Sequence, residues 1–165
     1  MLKDSTMEQA ANHLGDLLSL RGQTMVTAES CTGGWIVKAL TDRPGSSDYV
    51  LGGLVTYSNS MKRELLHVSA ESLERDGAVS EPVVRQMVAG AVKATGADFA
   101  IATSGVAGPG GGSEDKPVGT VWFAWGSPAN GIVAHRCHFD GDRDAVRRRS
   151  VVYALQGLTD YVQTL

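Results

Sequence analysis

Ser30 lies in the run Val26-Thr27-Ala28-Glu29-Ser30-Cys31-Thr32-Gly33-Gly34-Trp35, where residues of strand character give way to two glycines and then a helical pattern. A hydroxyl at such a corner stands on a sharp turn beside free backbone N–H groups. Acyl transfer needs both features, a presented nucleophile and donors for the oxyanion that develops. The simpler account is a serine that caps the helix by accepting from one of its N–H groups. Cys31 is a rival nucleophile, because a helix start lowers a thiol pKa. Adjacent residues on a turn rarely point the same way, and spacing does not say which of the two faces a site.

A serine nucleophile needs a base, and the four histidines supply a poor one. His13 belongs to the first helical pattern and His67 to the end of a short one. His135 and His138 differ by an odd number, so a strand sends them to opposite faces. Lysine is the alternative, provided burial or a cationic neighbour lowers its pKa from about 10.4, at roughly 1.4 kcal/mol per unit. Lys62 follows a strand pattern, with Tyr57 and Asn59 just before it, and a tyrosine there can relay a proton. Against this stands an ordinary surface lysine on a short helix. Ser113-Glu114-Asp115-Lys116 spells S-x-x-K, but it lies between Gly112 and Pro117, where the two side chains share no helical face.

Two further segments complete the chemical inventory. Thr103-Ser104-Gly105 also follows a strand pattern, and ligands of α/β sheets bind where strands end. Gly105-Val106-Ala107-Gly108-Pro109-Gly110-Gly111-Gly112 is either a flexible surface loop or a cradle of N–H groups for a phosphate. It matches neither a Walker loop nor G-x-G-x-x-G. Arg143 stands at a helix start, where it can clamp a phosphate or pair with a nearby aspartate.

The elements that must position these residues follow from periodicity. Ser5-Thr6-Met7-Glu8 reads as a capping box before Met7, Ala11, Leu14 and Leu18, with Gly22 as the C-terminal cap. Strands are expected over 24–28, 50–57 and 99–104, with Gly52-Gly53 marking a bulge or a close backbone approach. Helices are expected over 32–40, 62–67 and 70–76, and a longer one opens at Ser80-Glu81-Pro82. Residues 118–125 and 132–139 form a hairpin, and Asp142 opens the last helix. This order implies a three-layer α/β/α sandwich around a mixed, mostly parallel sheet of about five strands, in a single domain over 1–165.

Composition narrows the function. With 42% hydrophobic and 20% charged residues over 165, the chain is that of a soluble globular domain. A net charge of -3 leaves no cation excess for phosphates, which argues against nucleic acid. The run Arg147-Arg148-Arg149 follows Asp142 and Asp144, as on a solvated, salt-bridged helix face. Two cysteines make neither a disulfide framework nor a metal spacing. No apolar run opens the chain, so neither a signal peptide nor a membrane span is expected, and the cytoplasm is the default.

Six blocks, taken in order, carry a resemblance. They are Thr27-Ala28-Glu29-Ser30-Cys31-Thr32-Gly33-Gly34, Val55-Thr56-Tyr57-Ser58-Asn59 with Lys62, Gly77-Ala78-Val79-Ser80-Glu81-Pro82, Ser104-Gly105-Val106-Ala107-Gly108-Pro109, Lys116-Pro117-Val118-Gly119-Thr120-Val121 and Gly141-Asp142-Arg143. Together they resemble the CinA C-terminal domain family over essentially the whole chain. The resemblance implies hydrolysis of the carboxamide of nicotinamide mononucleotide to nicotinate mononucleotide and ammonia, in pyridine nucleotide salvage. It implies a serine–lysine mechanism without metal or cofactor, with Ser30 as nucleophile, Lys62 as base and Tyr57 between them. A homodimer is expected by the same likeness. Thr32, Gly33, Gly34, Asn59, Thr103, Ser104, Gly105, Gly108 and Arg143 are the residues expected around the substrate. Two other readings stand beside it, a partner-binding module linked to competence or damage and a hydrolase of another small amide.

Overall fold

The computed structural model describes residues 4–165, with side chains from Thr6 onward. The capping box expected at Ser5 therefore lies outside the described side chains. The chain runs through α1 (Asp4–Arg21), β1 (Met25–Glu29), α2 (Trp35–Thr41), β2 (Val50–Val55), α3 (Asn59–Leu66), α4 (Ala70–Asp76), α5 (Glu81–Thr95), β3 (Phe99–Gly105), β4 (Thr120–Ser127), β5 (Gly131–His138) and α6 (Arg143–Gln163). One five-stranded sheet has the order β2-β1-β3-β4-β5. Its pairings are parallel for β2·β1 and β1·β3 and antiparallel for β3·β4 and β4·β5. Only β4 opposes the other strands, so the sheet is mixed with most strands pointing one way.

Alternation along the strands divides the apolar residues between two cores. Met25, Phe99, Ile101, Val121, Phe123 and Trp125 pack with Leu14, Leu18, Ile36, Leu40, Leu155 and Leu158, on the side of α1, α2 and α6. Val26, Ala28, Ala100, Ala102 and Ala124 pack with Leu66, Val84, Met87 and Val88, on the side of α3 and α5. Alanines line the second face of β3 because α5 lies close against it. Each large side chain fully buried in this way contributes roughly 1.5–3 kcal/mol.

The order β2-β1-β3 locates the site. The chain leaves β1 through α2 on one face and returns through α3 to α5 on the other before it enters β3. The crossovers thus diverge between β1 and β3, and the crevice they leave at the carboxyl ends of those strands is where such sheets bind ligands. Ser30 directly follows β1, and Ser104-Gly105 ends β3.

Several expected boundaries move. The helix expected over 32–40 begins three residues later, because Gly33 and Gly34 adopt left-handed conformations (φ 62° and 98°) that interrupt a helix. The helix expected over 62–67 begins earlier, at Asn59, because the Ser58 hydroxyl caps it and accepts from Met61 N at 3.1 Å. The hairpin strands each shift by one or two residues, giving a shorter turn. Gly52-Gly53 serves both expected purposes. The register skips Leu51 opposite Met25 and Val26, and a Cβ on Gly53 would lie 2.7 Å from Thr27 Oγ1.

Candidate active site

The starting phase of α3 decides where its lysine goes. Lys62 and Leu66 are four residues apart, so they share the helix face that lies on the sheet, and both are buried there. Lys62 is 1% exposed and Ser30 8%. Lys62 Nζ lies 3.0 Å from Ser30 Oγ, 2.9 Å from the carbonyl of Thr56 and 3.1 Å from that of Tyr57. Burial lowers the amine from 10.5 to about 8, against a small opposing pull from Cys31. No carboxylate forms an ion pair with Lys62 among the described residues, so hydrogen bonds to neutral oxygens offset only part of the cost of a buried ammonium. A neutral amine has two N–H bonds and one lone pair. Protonated, Lys62 donates to all three oxygens; neutral, it can keep its two hydrogens on the carbonyls and turn its lone pair to the Ser30 hydroxyl.

Cys31 ceases to be a rival. It belongs to the core on the α1, α2 and α6 side, opposite to Lys62. Burial, ahead of every other cause, pushes its thiol up to about 12, so it stays protonated and inert.

On that opposite side the turn is built on a residue to which the sequence reading gave no role. The carboxylate of Glu29, fully buried, accepts from the hydroxyls of Thr27 (2.9 Å) and Thr32 (2.8 Å). It also accepts from the backbone N–H groups of Gly34 (3.2 Å), Ile36 (2.9 Å) and Val37 (3.0 Å). Glu29 thus caps α2, the role the simpler reading assigned to Ser30, and leaves the serine hydroxyl to Lys62 and the Tyr57 carbonyl. The visible signal was a carboxylate ending a strand five residues before Gly34, within reach of the next helix start.

Arg147 was also missed, and here the sequence reading needs correction. The arginine run is not a uniformly solvated, salt-bridged face. Arg148 meets Asp144 at 3.5 Å, but Arg147 donates from Nε to the Cys31 carbonyl (3.0 Å) and from Nη2 to that of Thr32 (3.4 Å). Its spacing of four from Arg143 puts both arginines on one face of α6, which was the available signal.

The residues expected around the substrate separate into two groups. Thr32 and Thr103 are fully buried, and their hydroxyls meet at 2.9 Å beside Glu29. Their side chains brace the turn from below, so it is through its backbone that Thr32 can face the site. Ser104, next along β3, alternates to the side of Ser30, and its buried hydroxyl has no partner among the described residues. The N–H groups of Gly33 and Gly34 are taken by the Ser30 carbonyl and by Glu29, so neither is a free donor. Tyr57 is 63% exposed and turns its hydroxyl to Arg143 Nη2 at 3.4 Å, while its carbonyl holds Lys62. Arg143 Nη1 also donates to the Gly108 carbonyl at 2.7 Å, so α6, the glycine loop that follows Gly105 and the Tyr57 segment converge. Asn59 is exposed on the first turn of α3. Arg143 forms no ion pair with an aspartate among the described residues.

The sequence pattern of the CinA C-terminal domain matches residues 7–162. This chain belongs to the CinA C-terminal domain family. The nicotinamide-nucleotide amidohydrolase PncC of Escherichia coli strain K12 is 53% identical over 158 residues, 95% of either chain. A protein of the same name from Pseudomonas putida is 53% identical over 148 residues, 90% of this chain and 92% of its own. The crystal structure of a CinA superfamily protein from Klebsiella pneumoniae 700603 superposes with a TM-score of 0.92 at 39% identity, covering 96% of this chain and 99% of that one. Among CinA C-terminal domains, this one is a hydrolase. No helix among its described residues is long and apolar enough to cross a membrane.

Proposed function

We propose that the chain hydrolyses the carboxamide of nicotinamide mononucleotide to nicotinate mononucleotide and ammonia, with Ser30 as nucleophile and Lys62 as base. The contact between Lys62 Nζ and Ser30 Oγ carries this reading, and the amidohydrolase names of relatives at 53% identity support the substrate. A purely partner-binding module has no use for a desolvated amine set against a serine hydroxyl.

Ser30 Oγ forms a bond to the amide carbon as its proton passes to the Lys62 lone pair. The carbonyl oxygen becomes an oxyanion, held by the N–H of Thr32 and the otherwise unpartnered hydroxyl of Ser104. The C–N bond then breaks as Lys62 returns the proton to nitrogen, and ammonia leaves. Water gives a proton to Lys62 and attacks the acyl-serine. When the C–Oγ bond breaks, Lys62 reprotonates Ser30 and nicotinate mononucleotide is released. Arg143, Tyr57 and the glycine loop, which converge, are assigned to the 5′-phosphate in this reading.

The direct test is ammonia release from nicotinamide mononucleotide, with EDTA present, by wild type and Ser30→Ala. Turnover in wild type and its loss by several orders of magnitude in the variant are expected. No wild-type turnover would redirect the search to other small amides. Arg143→Ala should raise KM for the mononucleotide roughly 10- to 100-fold with kcat nearly intact, and should not change KM for the riboside that lacks the phosphate.

A further inference from the structure

We infer that Arg147 is a positioning residue for the oxyanion hole: it holds the Cys31 and Thr32 carbonyls on the α6 side of the sheet and so aims the Thr32 N–H at the oxyanion formed on Ser30. The inference rests on the acyl-transfer reading of Ser30 above. In a planar trans peptide the C=O and N–H point in opposite directions. The oxygen of the peptide joining Cys31 to Thr32 is fixed 3.0 Å from Arg147 Nε. Its N–H therefore points the other way, toward the side where Lys62 meets Ser30.

That N–H is also free. Along the turn, the N–H of Ser30 goes to the Thr103 carbonyl, that of Gly33 to the Ser30 carbonyl and that of Gly34 to Glu29. The Cys31 N–H has no hydrogen-bond acceptor among the described residues. The Thr32 N–H has no acceptor among the described residues.

The electrostatics agree with the geometry. Arg147 forms no ion pair among the described residues, and its hydrogen bonds there go to the two turn carbonyls. A cation on a carbonyl oxygen polarises the peptide and strengthens its N–H as a donor. The guanidinium is steadied by the Trp35 ring, 5.8 Å from its Cζ. A planar guanidinium holds two adjacent carbonyls from a rigid fork, whereas an ammonium reaches them from one rotatable nitrogen and fixes their direction less.

Arg147→Gln and Arg147→Lys test this in two assays. In steady-state hydrolysis of nicotinamide mononucleotide, Arg147→Gln is expected to lower kcat about 100-fold while KM stays within about threefold, the size of effect that loss of one oxyanion donor has. Arg147→Lys, which keeps a cation but not the fork, should recover part of that loss. The second assay does not depend on the substrate. Ser30 is labelled with a fluorophosphonate, followed by intact mass: a P–Oγ bond forms, fluoride leaves and Lys62 takes the hydroxyl proton. Here the phosphoryl oxygen needs the same donor, so labelling should slow by a similar factor in Arg147→Gln. A variant that melts within a few degrees of wild type yet labels at the wild-type rate overturns the inference. So does a kcat loss matched by an equal rise in KM. If wild type labels at Ser30 but does not hydrolyse the mononucleotide, the substrate reading fails, and the labelling rates alone decide the role of Arg147.

Discussion

Two buried charged side chains flank the nucleophile turn, one on each face of the sheet, and they are treated in opposite ways. Glu29 is met by five donors, three of them backbone N–H groups at the start of α2. Lys62 is met by three neutral oxygens. A carboxylate surrounded by donors is locked as a structural element, since each bond to it is charge-assisted. An amine among carbonyls and a hydroxyl gains too little to offset desolvation, so its proton is loosely held and available for transfer. The contrast teaches that the number and type of partners, rather than burial alone, separate a brace from a base.

The contrast breaks most visibly at Lys62. Lys62→Met keeps the aliphatic stem but removes the lone pair, and should lower kcat by about 10³- to 10⁴-fold in the ammonia assay. Loss of less than tenfold would assign the base elsewhere. Glu29→Ala should act on stability. It strands three backbone N–H groups, one buried and two partly buried, and should cost on the order of 3 kcal/mol, read as a lower urea midpoint. Glu29→Gln keeps the volume and one acceptor oxygen, so it should lose less. If Glu29→Ala instead unfolds like wild type and loses only activity, the two faces have been assigned the wrong roles.

Titration sharpens the comparison further. The proposed mechanism needs neutral Lys62, so kcat/KM should rise tenfold per pH unit up to about pH 8 and level off above it. The stability term has the same sign. The folded pKa of about 8 lies below the unfolded 10.5, so between those values the unfolded chain binds the extra proton and stability rises with pH. Below about 8 the cost of the buried ammonium is felt in full, and Lys62→Met should flatten this slope. The smallest effect is expected at Cys31. Cys31→Ala removes an inert buried thiol, and activity should stay within about threefold with a loss of roughly 1 kcal/mol in urea unfolding.

Much of the site was legible locally. Ser30 stands out because a strand, a hydroxyl and two glycines adjoin in sequence, and Lys62 because it follows a strand within one helical turn of Ser58. Arg143 could be placed at a helix start by Asp142, which caps α6 and accepts from Ala145 N at 2.9 Å. Glu29 and Arg147 were not legible in the same way. Glu29 interacts with groups up to eight residues ahead whose N–H directions depend on the left-handed pair Gly33-Gly34. Arg147 lies 116 residues from Cys31, and an arginine run reads the same whether it faces solvent or a carbonyl.

The linear pattern of apolar residues, caps and glycines was enough to set the layered α/β architecture and the strand-to-helix corner at Ser30. Those features depend on periodicity and on bonds between near neighbours, which a one-dimensional reading contains. Which of Ser30 and Cys31 faces the site, which of Thr103 and Ser104 accompanies it and which arginine serves the turn were settled by the packing of β1 between β2 and β3. A strand has two faces of equal standing until helices cover them. The lowered proton affinity of Lys62 likewise exists only once α3 has pressed it against the sheet.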